Sequence, residues 1–166
     1  MHVSVVDSFF LGGGTVVVAA GTLGVVNGLV VTDNTWENYN MGSNVTVVVD
    51  ERNNNTFAHP PTDMIMAGNV GSSSMAPRAI TVTKSLHQAE PSTVWAFDFG
   101  ADFVFPSLPI LNVQYSIEIA GGNFARHASR PPSGPTGQQV TVETDVPVVG
   151  TVTVTATQGI FTVGNR

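Results

Sequence analysis

Large apolar residues alternate with polar residues through positions 94–120. The alternate positions include five large aromatic side chains: Trp95, Phe97, Phe99, Phe103 and Phe105. Apolar residues resume the alternation between positions 111 and 119. A period of two is typical of a strand with one buried face. The pattern therefore predicts two strands, 94–105 and 111–119, that pair as an antiparallel hairpin and place their aromatic face in the core.

Short segments rich in valine and threonine occupy much of the remaining chain. They are predicted to form further strands at 2–10, 15–20, 23–32, 45–51, 64–67, 78–86, 138–146, 150–158 and 159–163. Glycine, asparagine and proline separate them, and these residues favour turns. No stretch of ten residues combines helical periodicity with good helix formers and capping residues. The sequence therefore predicts about ten short strands and no substantial helix.

Many short strands with turn residues between them indicate an all-β fold, and we expect an antiparallel β-sandwich or jelly roll. Residues 1–166 contain no linker and are predicted to form a single domain. A β-solenoid is the alternative, because the first third of the chain has a loose Gly-Thr-Val rhythm. That rhythm has no fixed period, which a solenoid normally shows, and the sandwich is therefore preferred.

The composition of the chain argues against several classes of function. The chain has a formal net charge of −6 and its few basic residues are scattered, so no basic patch is available for nucleic acid. It has no cysteine, which excludes disulfides and zinc–thiolate sites. Residues 9–31 are uncharged and long enough to span a bilayer. Their glycines and valine runs favour strands instead, so no membrane span is predicted.

The sequence contains no recognised catalytic motif. Histidines lack metal-ligand spacing, and no nucleophile elbow or phosphate-binding loop is present. Asp98 and Asp102 would be about 13 Å apart on one flat strand, too far for the carboxylate pair of a glycosidase. We therefore predict no catalytic residue, no metal and no cofactor. An enzyme with a site built from His59, His87 and nearby carboxylates is retained as a third hypothesis.

Five residues are candidates for binding. Trp36 and Tyr39 lie in the polar segment 33–44, where they could stack on a sugar ring, anchor a protein interface or cap the core. Arg126, His127 and Arg130 form the one local positive cluster, in the segment 121–137, and could contact an acidic partner. Asn44 and Asn54 begin N-x-S/T sequons, which matter only in a eukaryotic secretory route.

Low charge, abundant valine and the missing catalytic motif favour a non-enzymatic structural module. We predict a virion component, namely a capsid decoration, protruding or fibre domain, located on a virion or an extracellular surface. Its predicted partners are further copies of itself in a homo-oligomer, other structural proteins of the same assembly and, in addition, a glycan. The alternative is a carbohydrate-binding or adhesion module that uses the loop aromatics.

Overall fold

The computed structural model describes residues 3–11, 16–19, 26–37, 47–50, 57, 61–71, 78–105, 107–122 and 124–159. These residues form strands and turns, with a single 3-10 turn at Ala120–Gly122, so the all-β prediction is confirmed. Contacts divide the chain into two compact units. The coil unit comprises Met1–Thr81, Ala101–Leu108 and Gln158–Arg166, and the sheet unit comprises Val82–Gly100 and Pro109–Thr157. The prediction of a single domain over 1–166 stays a prediction.

The coil unit is built from short strands that pair only in parallel among the described residues. Its strands are β1 (Val3–Val6), β2 (Phe9–Leu11), β3 (Val16–Ala19), β4 (Leu29–Thr32), β5 (Thr35–Glu37), β6 (Val47–Asp50), β7 (Ile65–Ala67) and β8 (Val70–Gly71). They form three sheets with the orders β1-β4-β7, β2-β5-β8 and β3-β6. The chain thus visits the three sheets in turn and stacks successive coils, which is a parallel β-solenoid.

The antiparallel sandwich is therefore not confirmed, and the solenoid alternative describes this unit. The sequence conceals the repeat because the coils differ in length. Register partners Val3 and Leu29 are 26 residues apart, whereas Val30 and Ile65 are 35 residues apart. Insertions in the turns lengthen a coil without changing the strands that stack, so no fixed period is visible.

One corner of the coils is formed by residues with a left-handed backbone conformation. Asp7, Asp33 and Gly68 follow β1, β4 and β7, and all three have left-handed backbones, with φ of 48°, 57° and 64°. Gly, Asp and Asn are the residues that adopt this conformation most readily. The corner turns the chain from the first sheet into the second in every described coil.

Amide side chains stack beside this corner. The fully buried Asn34 accepts the Ser8 backbone N–H through Oδ1 at 3.0 Å and donates through Nδ2 to the Val5 carbonyl at 2.9 Å. Asn69 continues the stack, because its Oδ1 accepts from Asn34 and its Nδ2 donates to the Val31 carbonyl at 2.8 Å. The amide side chains thus form hydrogen bonds with backbone N–H and C=O groups that have no strand partner at the corner.

The core of the coil unit is apolar. Trp36 is fully buried and stacks on Phe10, with 4.9 Å between ring centroids. Phe57 meets the buried Phe105 edge to face at 5.1 Å. The buried Gln158 closes this region by donating to the carbonyl groups of Phe105 and Leu108.

The sheet unit consists of β9 (Thr81–Asp98), β10 (Asn112–Ile119), β11 (His127–Ser129) and β12 (Gln139–Thr157). The long strand β12 organises it. Antiparallel β10 pairs with its C-terminal half, antiparallel β11 pairs with its N-terminal half, and β9 also pairs with it. The predicted 94–120 hairpin is therefore wrong in its pairing, because β9 and β10 each pair with β12. The alternation identified the strands, but alternation carries no information about the partner.

Two pairs of predicted strands are in fact single long strands. β9 runs through Pro91 and β12 runs through Pro147, both of which are exposed. The predicted buried face is confirmed for Trp95, Phe97 and Phe99, each at most 5% exposed. Phe103 and Phe105 are also buried, but they follow the end of β9 and belong to the coil unit.

Candidate functional site

Trp36, the first predicted binding residue, cannot serve as a surface platform. It lies on β5 rather than in a loop, its exposure is 0%, and its ring stacks on Phe10 at an interplanar angle of 6°. Of the predicted roles for Trp36, a place in the core is the one that the structure shows. Tyr39, His59, Asn44 and Asn54 lie outside the described residues.

The predicted positive cluster lies on the sheet unit, where β11 pairs with β12. His127 is opposite Thr144, and Ala128 is opposite Glu143. A shallow depression of about 310 Å³ is lined by residues of these two strands and the residue before β11, namely Arg126, His127, Ala128, Glu143, Thr144 and Asp145. Its polar groups carry both signs of charge. The cluster that sequence predicted as basic is therefore a mixed-charge surface.

Arg130 is neutralised by a partner on β12. Its Nε lies 2.8 Å from Glu143 Oε1, and the hydrogen bond and charge of Glu143 raise the pKa of Arg130 above its ordinary value. Both side chains are open to solvent, so the pair contributes little to stability. Arg130 does not line the depression.

Arg126 and His127 are held in place by different contacts. The Arg126 backbone N–H donates to Asp145 Oδ1 at 2.9 Å, and the Asp145 N–H donates back to the Arg126 carbonyl at 3.0 Å. His127 Nδ1 lies 3.1 Å from the Tyr115 hydroxyl, and the two rings meet edge to face at 5.6 Å. These contacts fix the backbone of Arg126 beside Asp145 and the ring of His127 against Tyr115.

A second polar surface follows the pairing of β9, β12 and β10. Hydroxyl groups meet across β9 and β12, with Thr83 and Thr155 at 2.8 Å and Ser85 and Thr153 at 2.8 Å. His87, a residue of the enzyme hypothesis, lies in the same row with Nδ1 3.0 Å from the Thr151 hydroxyl. These hydroxyl groups use one another as partners, which is how polar pairs stabilise an exposed sheet.

The coil unit places two aspartates in register. Asp7 and Asp33 directly follow the register partners Val6 and Thr32, and the Asp7 N–H donates to the Thr32 carbonyl. Both residues are exposed. Neighbouring strands are about 4.8 Å apart, so the backbones of the two aspartates are one strand spacing apart. The Asp33 carboxylate leans over Gly68, where an added Cβ would collide with Oδ1.

Histidine and carboxylate side chains do not gather into a metal site in the part of the chain that the structure describes. The same part contains no helix with the length and hydrophobicity needed to cross a membrane.

Sequence reasoning missed the acidic half of the mixed-charge depression, Glu143 and Asp145. A signal for them was present in the alternation of β12. Val140, Val142 and Thr144 are buried, so the intervening positions 141, 143 and 145 had to lie on the opposite face. Tyr115 was missed as the partner of His127 because β10 and β11 meet only through tertiary structure.

Comparison with known proteins gives one informative relative. The chain is 29% identical over 161 residues to the Arabidopsis thaliana protein named Polygalacturonase QRT3. The match covers 96% of this chain and therefore includes both units, but the chain spans only 31% of the length of that relative. No family model matches the chain, and no solved structure matches it.

This similarity overturns the predicted function. The prediction of a non-enzymatic capsid decoration, protruding or fibre module on a virion is wrong, because the relative is named as a polygalacturonase. The virion location fails with it. The alternative, a carbohydrate-binding or adhesion module that uses the loop aromatics, loses Trp36 as a surface residue because Trp36 is buried. The predicted partners, including the homo-oligomer, stay predictions.

Proposed function

We propose that this protein hydrolyses polygalacturonate, a polymer of galacturonic acid units joined by glycosidic bonds. The similarity to Polygalacturonase QRT3 over 96% of the chain carries the proposal. The coil unit supports it on physical grounds. Stacked parallel coils present rows of side chains that repeat at the strand spacing, and extended surfaces of this kind suit an extended polymer.

Hydrolysis of a glycosidic bond normally requires two carboxyl groups, one acting as an acid and the other as a base or nucleophile. Asp7 and Asp33 are exposed and in register, one strand spacing of about 4.8 Å apart. That spacing is between backbones, and side chains on adjacent coils can approach the roughly 5–5.5 Å that separates the carboxyl groups of retaining glycosidases. We therefore propose these two residues as the acid–base pair of the described coils.

The test measures the release of reducing ends from polygalacturonate. We expect the wild-type chain to release them from polygalacturonate and not from a neutral galactan. Asp7→Asn and Asp33→Asn should each lower the rate at least about 100-fold, the usual contribution of an acid–base group. Asparagine tolerates left-handed backbone, so each substitution removes the acid and keeps the corner.

Glu118→Gln, an exposed carboxylate on β10, is the matched control and should retain the wild-type rate. The absence of any release by the wild-type chain would overturn the proposed function. If both Asp→Asn variants release reducing ends at the wild-type rate, the proposed function stands, but the two aspartates are not its acid–base pair.

A further inference from the structure

The mixed-charge depression on β11 and β12 includes the cationic residue Arg126. Arg126 and Arg130 are four residues apart, and Arg130 forms an ion pair with Glu143. Among the described residues, no carboxylate pairs with the guanidinium group of Arg126. Its backbone is nevertheless fixed by two hydrogen bonds to Asp145. The depression therefore combines an anchored backbone with a guanidinium group that is available to a ligand.

The acidic groups beside Arg126 determine which ligand suits the depression. Glu143 and Asp145 both line it, and each carboxylate has more lone pairs than its one described hydrogen bond uses. A simple inorganic anion would leave their acceptors unused. A neutral sugar would satisfy the acceptors with its hydroxyl groups but would leave Arg126 without a partner.

An acidic sugar satisfies both kinds of group. A uronate unit carries one carboxylate, which a guanidinium group binds through two parallel hydrogen bonds, and several hydroxyl groups, which carboxylates accept. The volume of about 310 Å³ is at the lower end of the range of ligand pockets, which matches a ligand of one or two sugar units.

We infer that this depression is a binding subsite for a uronate unit of an acidic polysaccharide. Arg126 binds the carboxylate, and Asp145 and Glu143 accept hydrogen bonds from the sugar hydroxyl groups. The inference rests on the proposed function for its choice of polymer. It adds a recognition site on the sheet unit to the aspartates of the coil unit that are proposed for hydrolysis.

The test titrates the full chain with trigalacturonate and follows binding by calorimetry and by amide NMR shifts. Arg126→Gln should raise the Kd at least about tenfold, since charge-assisted hydrogen bonds contribute about 1.5–3 kcal/mol. Arg78→Gln, which makes the same change of net charge in the coil unit, should change the Kd less than twofold. Arg126→Lys keeps the charge and loses the planar fork, so its Kd should lie between those of wild type and Arg126→Gln.

Two further ligands test whether the sugar or the negative charge alone is enough for binding. A neutral galactose trimer and sulfate should each bind at least tenfold more weakly than trigalacturonate. Equal affinity of wild type and Arg126→Gln for trigalacturonate would overturn the subsite, as would the absence of binding by the wild type. Arg126-dependent binding by a chain that releases no reducing ends would uphold the subsite and overturn the proposed hydrolysis, so the two failures are distinguishable.

Discussion

The coil unit and the sheet unit bury similar apolar side chains through opposite kinds of pairing. In the coil unit, strands of two to four residues pair in parallel, and buried amide groups such as Asn34 satisfy the corners between them. In the sheet unit, two strands of 18 and 19 residues run antiparallel to their partners, and rows of paired hydroxyl groups cover the exposed face. The stability of the short parallel strands depends on the hydrogen bonds at their corners. The stability of the long antiparallel strands depends on the alternation of buried and exposed side chains. This difference predicts where each unit is most sensitive to substitution.

The largest effect is expected in the aromatic face of the sheet unit. Phe99 is fully buried, so Phe99→Ala should lower the free energy of unfolding by about 3–5 kcal/mol through lost contacts and a cavity. Denaturant titration measures the change. Phe124 is 97% exposed, and the same substitution there should cost less than about 0.5 kcal/mol. Equal costs at both positions would mean that the alternation does not define the buried face.

The next effect belongs to the amide stack of the coil unit. Asn34→Leu preserves size but leaves the Ser8 N–H, the Val5 carbonyl and Asn69 without their described partner. We expect a loss on the order of 3 kcal/mol, because buried polar groups left unsatisfied cost about 1–3 kcal/mol each. Asn112→Leu, at an exposed position of β10, is the matched control and should be close to neutral. A neutral result for Asn34→Leu would show that the corners do not depend on the stack.

A smaller effect is expected at the corner glycine of the coil unit. Gly68→Ala places a Cβ against Asp33 and forces alanine into a left-handed backbone, so it should cost about 1–2 kcal/mol or more. In an Asp33→Gly background the collision disappears and only the backbone cost remains. The double-mutant cycle should therefore show a smaller cost in that background. The same cost in both backgrounds would mean that Asp33 does not occupy the space above Gly68.

The two units also differ in how far sequence predicted them. Strict alternation over 111–119 predicted β10 almost to the residue, because a strand with one buried face has apolar residues at every second position of its sequence. Prolines at 91 and 147 suggested breaks, because proline cannot donate a backbone hydrogen bond, but β9 and β12 run through them. Partner choice was not predictable, since β9, β10 and β11 all pair with β12 across long stretches of sequence.

The sequence of the coil unit does contain a repeat, but successive coils differ in length. Asp7-Ser8, Asp33-Asn34 and Gly68-Asn69 each follow a short apolar strand, and alignment on these dipeptides would have revealed the corners. No fixed period reveals these corners, because the spacing between register partners changes from 26 to 35 residues. Among the candidate site residues, Arg126 and His127 were found as a charge cluster. Glu143 and Asp145 lie beside this cluster because of the register between β11 and β12, which could not be predicted from the sequence.

Hydrogen exchange with and without trigalacturonate tests the assignment of recognition to the sheet unit most directly. Binding should slow the exchange of backbone amides at residues 126–129 and 143–145, where β11 pairs with the N-terminal half of β12. The amides of Arg126→Gln should show no such slowing at the same ligand concentration. Unchanged exchange at these residues in the wild-type chain, or slowing confined to the coil unit, would contradict the account.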